Sequence, residues 1–323
     1  MATETTTTLS DLAKTYYVMR FLARLHASYL YGKFGDPANV VELPQGKGLL
    51  AEWRRWSALS AATTALTQGV TPAGSNHAVT LVTATPAQYG DFTTYSDVLD
   101  WVNIDPTVTS MVDVFVEQAA ETVDQLDRAV LTAGTNVQYA GAVANRASVA
   151  ASNKLSIAEI KKAVRTLKLA NVPKIPDEFG GSYIMVMSPN AGYDIMADSE
   201  FILTSQYNGG TALYNGELGR YMGVRMLESS NAKVFTSAGA SSIDVHASIV
   251  FGQHWFGFAK WIDMSGGQKV DAMGNMVEFF LKPLGSSGTA DPLNQRGTCG
   301  WKLSHICKIL NQNCGLRIEH AVS

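Results

Sequence analysis

Six histidines, three cysteines and 28 aspartates and glutamates are the groups through which this 323-residue chain could move protons, attack a carbonyl or hold a metal. Their spacing supports none of these. His26, His77, His246, His254, His305 and His320 are scattered singly, outside any motif that makes an imidazole a base or a ligand. Cys299, Cys307 and Cys314 lie late in the chain with no CxxC pair and no histidine at ligand spacing. They read as small buried thiols, not as a zinc site or a disulfide framework. "QGKGLL" (45–50) lacks the Walker spacing, and "LYNGELGRYMG" (213–223) has glycines without the strand–GxGxxG–helix context. The serines occupy no GxSxG elbow. Asp97, Asp100 and Asp105 stand beside Ser, Asn and Pro, where caps and turns explain them. Asp113, Glu117, Glu121 and Asp124 form a ladder that could bind a divalent metal, but di-metal bundles pair Glu with a His three residues on, and this segment has none. A solvated or inter-subunit acidic face is the expectation. The sequence therefore announces no catalytic, cofactor-binding or metal-binding residue, and the expectation is a protein that is not an enzyme and needs no cofactor.

The elements around these residues say what else the chain is built for. It is 46% hydrophobic and 16% charged, enough apolar content to bury one or two cores. The charged fraction is well below the usual value of about 25%, which suggests that surface normally solvated by charge packs against something else. A net charge of −3 gives no global drive toward nucleic acid or anionic membrane. No run of apolar residues is long enough to span a bilayer, and no signal-peptide pattern opens the chain, so a cytoplasm-like setting is expected.

"MATETTTTLSDLAKTYY" opens the chain as a polar arm that should be mobile alone and ordered by a neighbour. A helix is predicted from Ser10, with Leu12, Tyr16, Met19 and Leu22 on one side. "LLAEWRRWSAL" and "HAVTLVTATPAQYGDFTTYS" read as strands around the loop "TQGVTPAGSN". An isolated ribbon is marginal in water, so this one must rest on another chain unless it joins a sheet of its own. Trp53, Arg54, Arg55 and Trp56 could stack bases and bind phosphate, but a ribbon with partners on both faces explains them better. The clearest helix runs from Asp105 to Gly134, with Val112, Phe115, Val116, Ala119, Val123, Leu126 and Val130 as its apolar stripe. A second helix follows Ser156, whose spacing from Glu159 fits a capping box, and its Lys161, Lys162, Arg165 and Lys168 form a basic face that is either solvated or turned to DNA. Alternating strands and helices between 151 and 284 make one α/β or α+β unit.

Several phrases resemble a known family. "ATPAQYGDFTTYSD", "VLTAGTNVQYAGAVANRA", "IAEIKKAVRTLK", "NGELGRYMGVRMLES" and "GSSGTADPLNQRGTCGWK" are similar to the tailed-phage major capsid proteins of the Hong Kong 97 type, in the coat-protein family typified by phage N-four. The resemblance implies an α+β fold with an N-terminal arm (1–33), an extended β-ribbon loop (34–95), a peripheral domain with a long spine helix (96–150), an axial domain (151–285) and a return to the peripheral domain (286–323). It also implies self-assembly as hexamers and pentamers into an icosahedral shell, the virion capsid, formed in the host bacterial cytoplasm around double-stranded DNA that is contacted nonspecifically. Partners would be a separate scaffolding protein, a portal and, optionally, a decoration protein; no membrane is involved. An encapsulin-like nanocompartment shell is the alternative, and a soluble oligomeric enzyme a more distant one. Inter-subunit contact is expected at Thr5, Leu9 and Tyr16 of the arm, at Trp53, Arg54, Arg55 and Trp56 of the ribbon, and at Asp291, Asn294 and Arg296 of the late loop.

Overall fold

A computed structural model describes residues 30–35, 39–44, 48, 50–102, 107–176, 181–198, 200, 219–262, 276–286 and 291–323. The expected helix from Ser10, the helix-start residues Asp105 and Pro106, and most of the loop from Leu203 to Arg220 lie outside the described residues.

Helix and sheet are mixed, in line with the α+β expectation. The first half carries β1 (Val41–Pro44), β2 (Ala51–Trp56), β3 (Val79–Ala84), β4 (Ala87–Ser96), α1 (Asp97–Val102), α2 (Thr107–Thr132), β5 (Val137–Tyr139) and α3 (Ile157–Leu169). The second carries β6 (Tyr183–Met187), α4 (Pro189–Met196), β7 (Gly219–Tyr221), β8 (Val224–Glu228), β9 (Val234–Phe235), β10 (Val245–Phe251) and β11 (Phe256–Ile262). Then come β12 (Met276–Lys282), β13 (Arg296–His305), β14 (Cys307–Ile309) and β15 (Gly315–His320).

The strand read from 77 to 96 is two strands, because Pro86 has no N–H to give a ladder and breaks the run. β3 pairs back on β2, from Ala51↔Ala84 to Trp56↔Val79. β4 instead joins β13 along its whole length, from Ser96↔Arg296 to Ala87↔His305, with β12 on the other side of β13. Helix α2 covers one face of this three-stranded sheet. Val112, Phe115, Val116, Ala119 and Val123 bury against Cys299, Trp301 and Leu303. Trp301 Nε1 donates to Gln118 Oε1 at 2.9 Å, and Gln118 Nε2 donates to Asp91 Oδ2 at 2.7 Å, tying helix, middle strand and edge strand together. Past Val123 the buried side of α2 turns: Leu126 and Val130 are half-buried, while Asp124, Asp127 and Leu131 go inside. The cause is a change of partner, since the helix runs off β13 onto β14 and the main core that holds Leu131.

That core lies on a larger sheet of order β5–β15–β10–β6–β8–β7, with β9 paired to β10. β15, the last strand, sits inside it, antiparallel to β10 and parallel to β5. Thus the segment after 286 serves three sheets, through β13, β14 and β15. β6 and β10 are buried at every residue; β6 accordingly reads as an unbroken apolar run, while β10 takes His246 and Ser248 inside with its apolar residues. α3 adds Ile157, Ile160, Ala163, Val164 and Leu167 to this core. The capping box expected at Ser156 does not form. Glu159 is buried, and its carboxylate accepts from Gln138 Nε2 and Lys162 Nζ at 2.7 Å each, so Asp198 Oδ2 takes the helix start instead, accepting from Ile157 N at 3.1 Å. α4 is capped locally: Ser188 Oγ accepts from Ala191 N at 3.3 Å, with Pro189 in the first turn. A third sheet, β1–β11–β14, supports the foot of the ribbon.

Candidate assembly interface

The ribbon β2–β3 has two unlike faces. On one, Ala51 and Trp53 pack with Leu43, Ala259 and Ile306. Trp53 is 8% exposed and its Nε1 donates to Asn39 O at 2.9 Å. Trp53, expected on the contact surface, is thus turned inward, because β2 alternates and its odd residues meet the β1–β11–β14 sheet. It roots the ribbon. On the other face, cross-strand pairing sets Trp56 beside Val79 and Arg54 beside Leu81. Trp56 is 68% exposed, with its own His77 edge-on at 6.0 Å between ring centroids. Arg54 and Arg55 are exposed, and Arg54 Nη2 lies 3.5 Å from Glu52 Oε2, a loose surface pair of little energetic weight. Between the strands every residue from 57 to 78 is exposed, Leu59, Leu66 and Val70 included.

The late loop divides in the same way. Asp291 is 6% exposed; its Oδ2 accepts from Arg296 N at 2.7 Å and its backbone carbonyl from Asn294 N at 3.1 Å. It is the clasp of the loop, and its short acceptor side chain explains why it went inside. Asn294 (φ +54°) and Arg296 are exposed, as is Leu293 between them and Asp291. Gln295 O accepts from Asp97 N at 3.1 Å, which sets the loop against α1, whose Val98, Trp101 and Val102 face solvent. Thr5, Leu9 and Tyr16 lie outside the described residues.

The residues that could have done chemistry are engaged inside the chain. Asp124 Oδ1 accepts from the backbone N–H groups of Leu30 and Tyr31 at 3.1 and 3.0 Å, so one rung of the acidic ladder fixes the chain where it leaves the arm. Glu117 and Glu121 are exposed. On α3, Lys161 pairs with Glu200 and Lys162 with Glu159, leaving Arg165 and Lys168 as the exposed part of the basic face. His305 Nε2 donates to Asp127 Oδ1 at 2.7 Å, both buried. His246 Nδ1 lies 2.9 Å from Ser188 Oγ, and His320 Nε2 accepts from the Ser248 hydroxyl at 2.8 Å while its Nδ1 donates to Ala321 O at 2.9 Å. Both Ser–His pairs are buried. Burial lowers the pKa of His320 to about 4, and lowers that of His246 as well. All three cysteines are buried; the Cys299 thiol is pushed up to about 12. Among the described residues no group of three or more His, Cys, Asp or Glu could hold a metal ion, and no helix is long and apolar enough to cross a membrane.

Sequence reasoning missed the densest charge cluster. Glu319 is fully buried; Arg146 Nε and Nη2 donate to its two oxygens at 2.7 Å each, and Arg317 Nε lies 2.8 Å from Oε1. The Arg146 guanidinium also sits 3.5 Å over the Phe235 ring. The one available signal was "LRIEH" in a strand, where alternation would put half of those polar groups inside.

A ribbon with one exposed face, a helix laid along a three-stranded sheet and a larger buried sheet beside them make up this fold. The same fold is seen in the capsid of Ralstonia phage GP4, with a TM-score of 0.68 at 13% identity over 88% of this chain and 87% of that one. The capsid of cyanophage Pam1 matches at 0.65 and 14% over 88% and 89%. A more distant likeness is the SrpI encapsulin complex of Synechococcus elongatus, at 0.51 and 8% over 88% and 86%. No curated protein is similar enough in sequence to count as a relative. The sequence model of the phage capsid protein family matches residues 61–277, two thirds of the length, and the chain belongs to that family.

Proposed function

We propose that this capsid protein closes, as hexamers and pentamers, into the icosahedral shell that holds the double-stranded DNA of a tailed phage. Its role is geometric and involves no catalysis. The observation that carries the reading is the unbroken exposed run from 57 to 78, continued by Trp56, Val79 and Leu81 on the ribbon. Monomeric proteins rarely leave an extended run of this length in water with Trp56, Leu59, Leu66, Val70, Val79 and Leu81 all exposed, and head-to-tail contacts repeated around a ring cover it in every copy at once. The arm with Thr5, Leu9 and Tyr16, and the loop with Asn294 and Arg296, would add further contacts. A net charge of −3 fits a shell that meets DNA only loosely. A separate scaffolding protein would set curvature in the host bacterial cytoplasm, a portal would occupy one vertex, and a decoration protein is an optional partner.

The test is to sediment particles from cells making the complete set of head proteins, image them, and read their nucleic-acid absorbance. Icosahedral shells that package DNA support the reading. Shells enclosing a protein cargo without DNA would favour the encapsulin-like alternative, and small discrete oligomers alone would overturn both.

A further inference from the structure

Three cations crowd the ring of Phe235. The Arg146 guanidinium lies 3.5 Å from its centroid, Lys233 Nζ 5.5 Å and the Arg317 guanidinium 5.8 Å. They come from separate parts of the chain: Arg146 from the turn Arg146–Ser148, Lys233 from the residue before β9, and Arg317 from β15. An aromatic face attracts each cation, yet like charges gathered so closely repel one another and call for anions. Glu319 supplies one. It is fully buried, and its oxygens are taken by Arg146 Nε and Nη2 at 2.7 Å each. Arg317 is 9% exposed; its Nε stands 2.8 Å from Oε1 as an ion pair that makes no hydrogen bond. The other carboxylate of the β9–β10 hairpin, Asp244, is exposed and accepts from Ser237 N at 2.8 Å. Even with Asp244 counted, positive charge is in excess here, in a chain whose net charge is −3. Arg146 Nη1, the Arg317 Nη groups and Lys233 Nζ are donors that Glu319 does not engage.

We propose that Arg146, Lys233 and Arg317 form a phosphate-binding site that takes the backbone of the packaged DNA. The inference rests on the capsid reading and names a place where the shell meets its genome. The site is built before the ligand arrives. Asn145 Oδ1 accepts from Ser148 N at 3.0 Å and fixes the turn that carries Arg146, the bidentate pair with Glu319 fixes the guanidinium, and β9 is held to β10 by backbone pairing. Cations ordered in this way lose little freedom when an anion binds. The Arg146 side chain is 33% exposed and Lys233 is half-buried, so the cluster reaches solvent. Guanidinium donors in a planar fork match phosphate oxygens. A duplex also brings its anions in a dense row, one negative charge per about 1.7 Å of axis, which several cations side by side can use together. The basic face of α3 is the rival, but its Lys161 and Lys162 are taken by Glu200 and Glu159, which leaves Arg165 and Lys168 on an open helix surface.

The experiment acetylates amines with a succinimidyl ester and reads each lysine by mass spectrometry in free subunits, empty shells and DNA-filled particles of the full chain. Lys233 should label in subunits and in empty shells and be protected about fivefold or more in filled particles, where phosphate holds it. Protection already present in empty shells would mean that a neighbouring copy covers the cluster, and equal labelling in every form would mean that nothing does; either overturns the proposal. Independently, free subunits are titrated with a fluorescein-labelled duplex of about 16 base pairs over a salt series. Lys233→Ala should weaken binding about threefold or more and reduce the salt slope by about one, the loss of one phosphate contact, with the unfolding midpoint of the subunit unchanged. Lys168→Ala, the same change of charge on α3, should do less. Equal effects from the two substitutions would leave only general charge attraction and overturn the site, as would displacement of the duplex by polyglutamate as readily as by polyphosphate. If no particle contains DNA, the capsid reading falls; filled particles in which Lys233 stays reactive sink this site alone.

Discussion

Trp53 and Trp56 lie three residues apart on one strand, yet their removal should fail in different ways. Trp53→Ala empties a site in the cluster of Leu43, Ala51, Ala259 and Ile306 and strips Asn39 O of its indole donor. Truncating a buried Trp costs about 3–5 kcal/mol. Unfolding entropy of about 2.1 cal/mol/K per residue gives roughly 0.7 kcal/mol/K for a chain of this length, so the midpoint should fall by about 4–7 °C. Trp56→Ala removes a ring that is 68% exposed and lies edge-on to His77. Its cost to the subunit stays within about 0.5 kcal/mol, under about 1 °C. In the particle the order reverses. A seated Trp is a typical contact hot spot worth about 2 kcal/mol or more, roughly thirtyfold in affinity at each contact, and a shell repeats the contact in every copy. Calorimetry on free subunits and sedimentation of particles read the two effects separately. Equal destabilisation of the free subunit by both substitutions, or a normal particle yield from Trp56→Ala, would refute the division of the ribbon into a rooted face and a docking face.

Other consequences follow from the buried polar groups and the loop. His320 is neutral in the fold with a pKa near 4 against an ordinary 6.5, so the unfolded chain binds the extra proton between these values. Its contribution, about 3 kcal/mol, is fully present above pH 6.5 and lost as pH falls toward 4; urea titrations of subunits across that window should show the slope, flattened in His320→Asn. The lowered His246 acts in the same direction, against the opposing pull of Asp244 and Asp194. Glu319→Gln leaves Arg146 and Arg317 without their carboxylate and should cost about 3 kcal/mol in the same assay, with no loss if the cluster is idle. The three buried thiols should stay silent toward a disulfide reagent in the native subunit and all react after unfolding. Thermolysin should cut within 57–78 in free subunits and leave that loop whole in particles; equal cleavage in both would mean that no neighbour covers it.

What the sequence made legible, and what it hid, separates by the range of the interaction. α2 and α3 were readable because a 3.6-residue stripe is local, and β6, β8, β10 and β12 because continuous or alternating apolar runs are. The break at Pro86 was on the page as a residue, but its consequence, β4 leaving the ribbon for β13, depends on a partner more than 200 positions away. Distance also hid the inward turn of Trp53, whereas that of Asp291 is local and was hidden by its type alone. Both residue types are common at interfaces and in loops, and only the third sheet under the ribbon and the Arg296 N–H decide that they face in. Glu319, Arg146 and Arg317, like Asp127 and His305, show the limit most sharply, since a charge in the sequence looks solvated until its counter-charge is found, here up to 178 residues along the chain. The absence of catalytic spacing was nonetheless informative in its own right. Asp124, Asp127, His305 and Glu319 are each tied to a distant element and brace the tile, and what remains in water at Trp56, Phe92, Trp101 and at Leu59, Leu66 and Val70 of the loop is apolar surface that a neighbouring copy would bury.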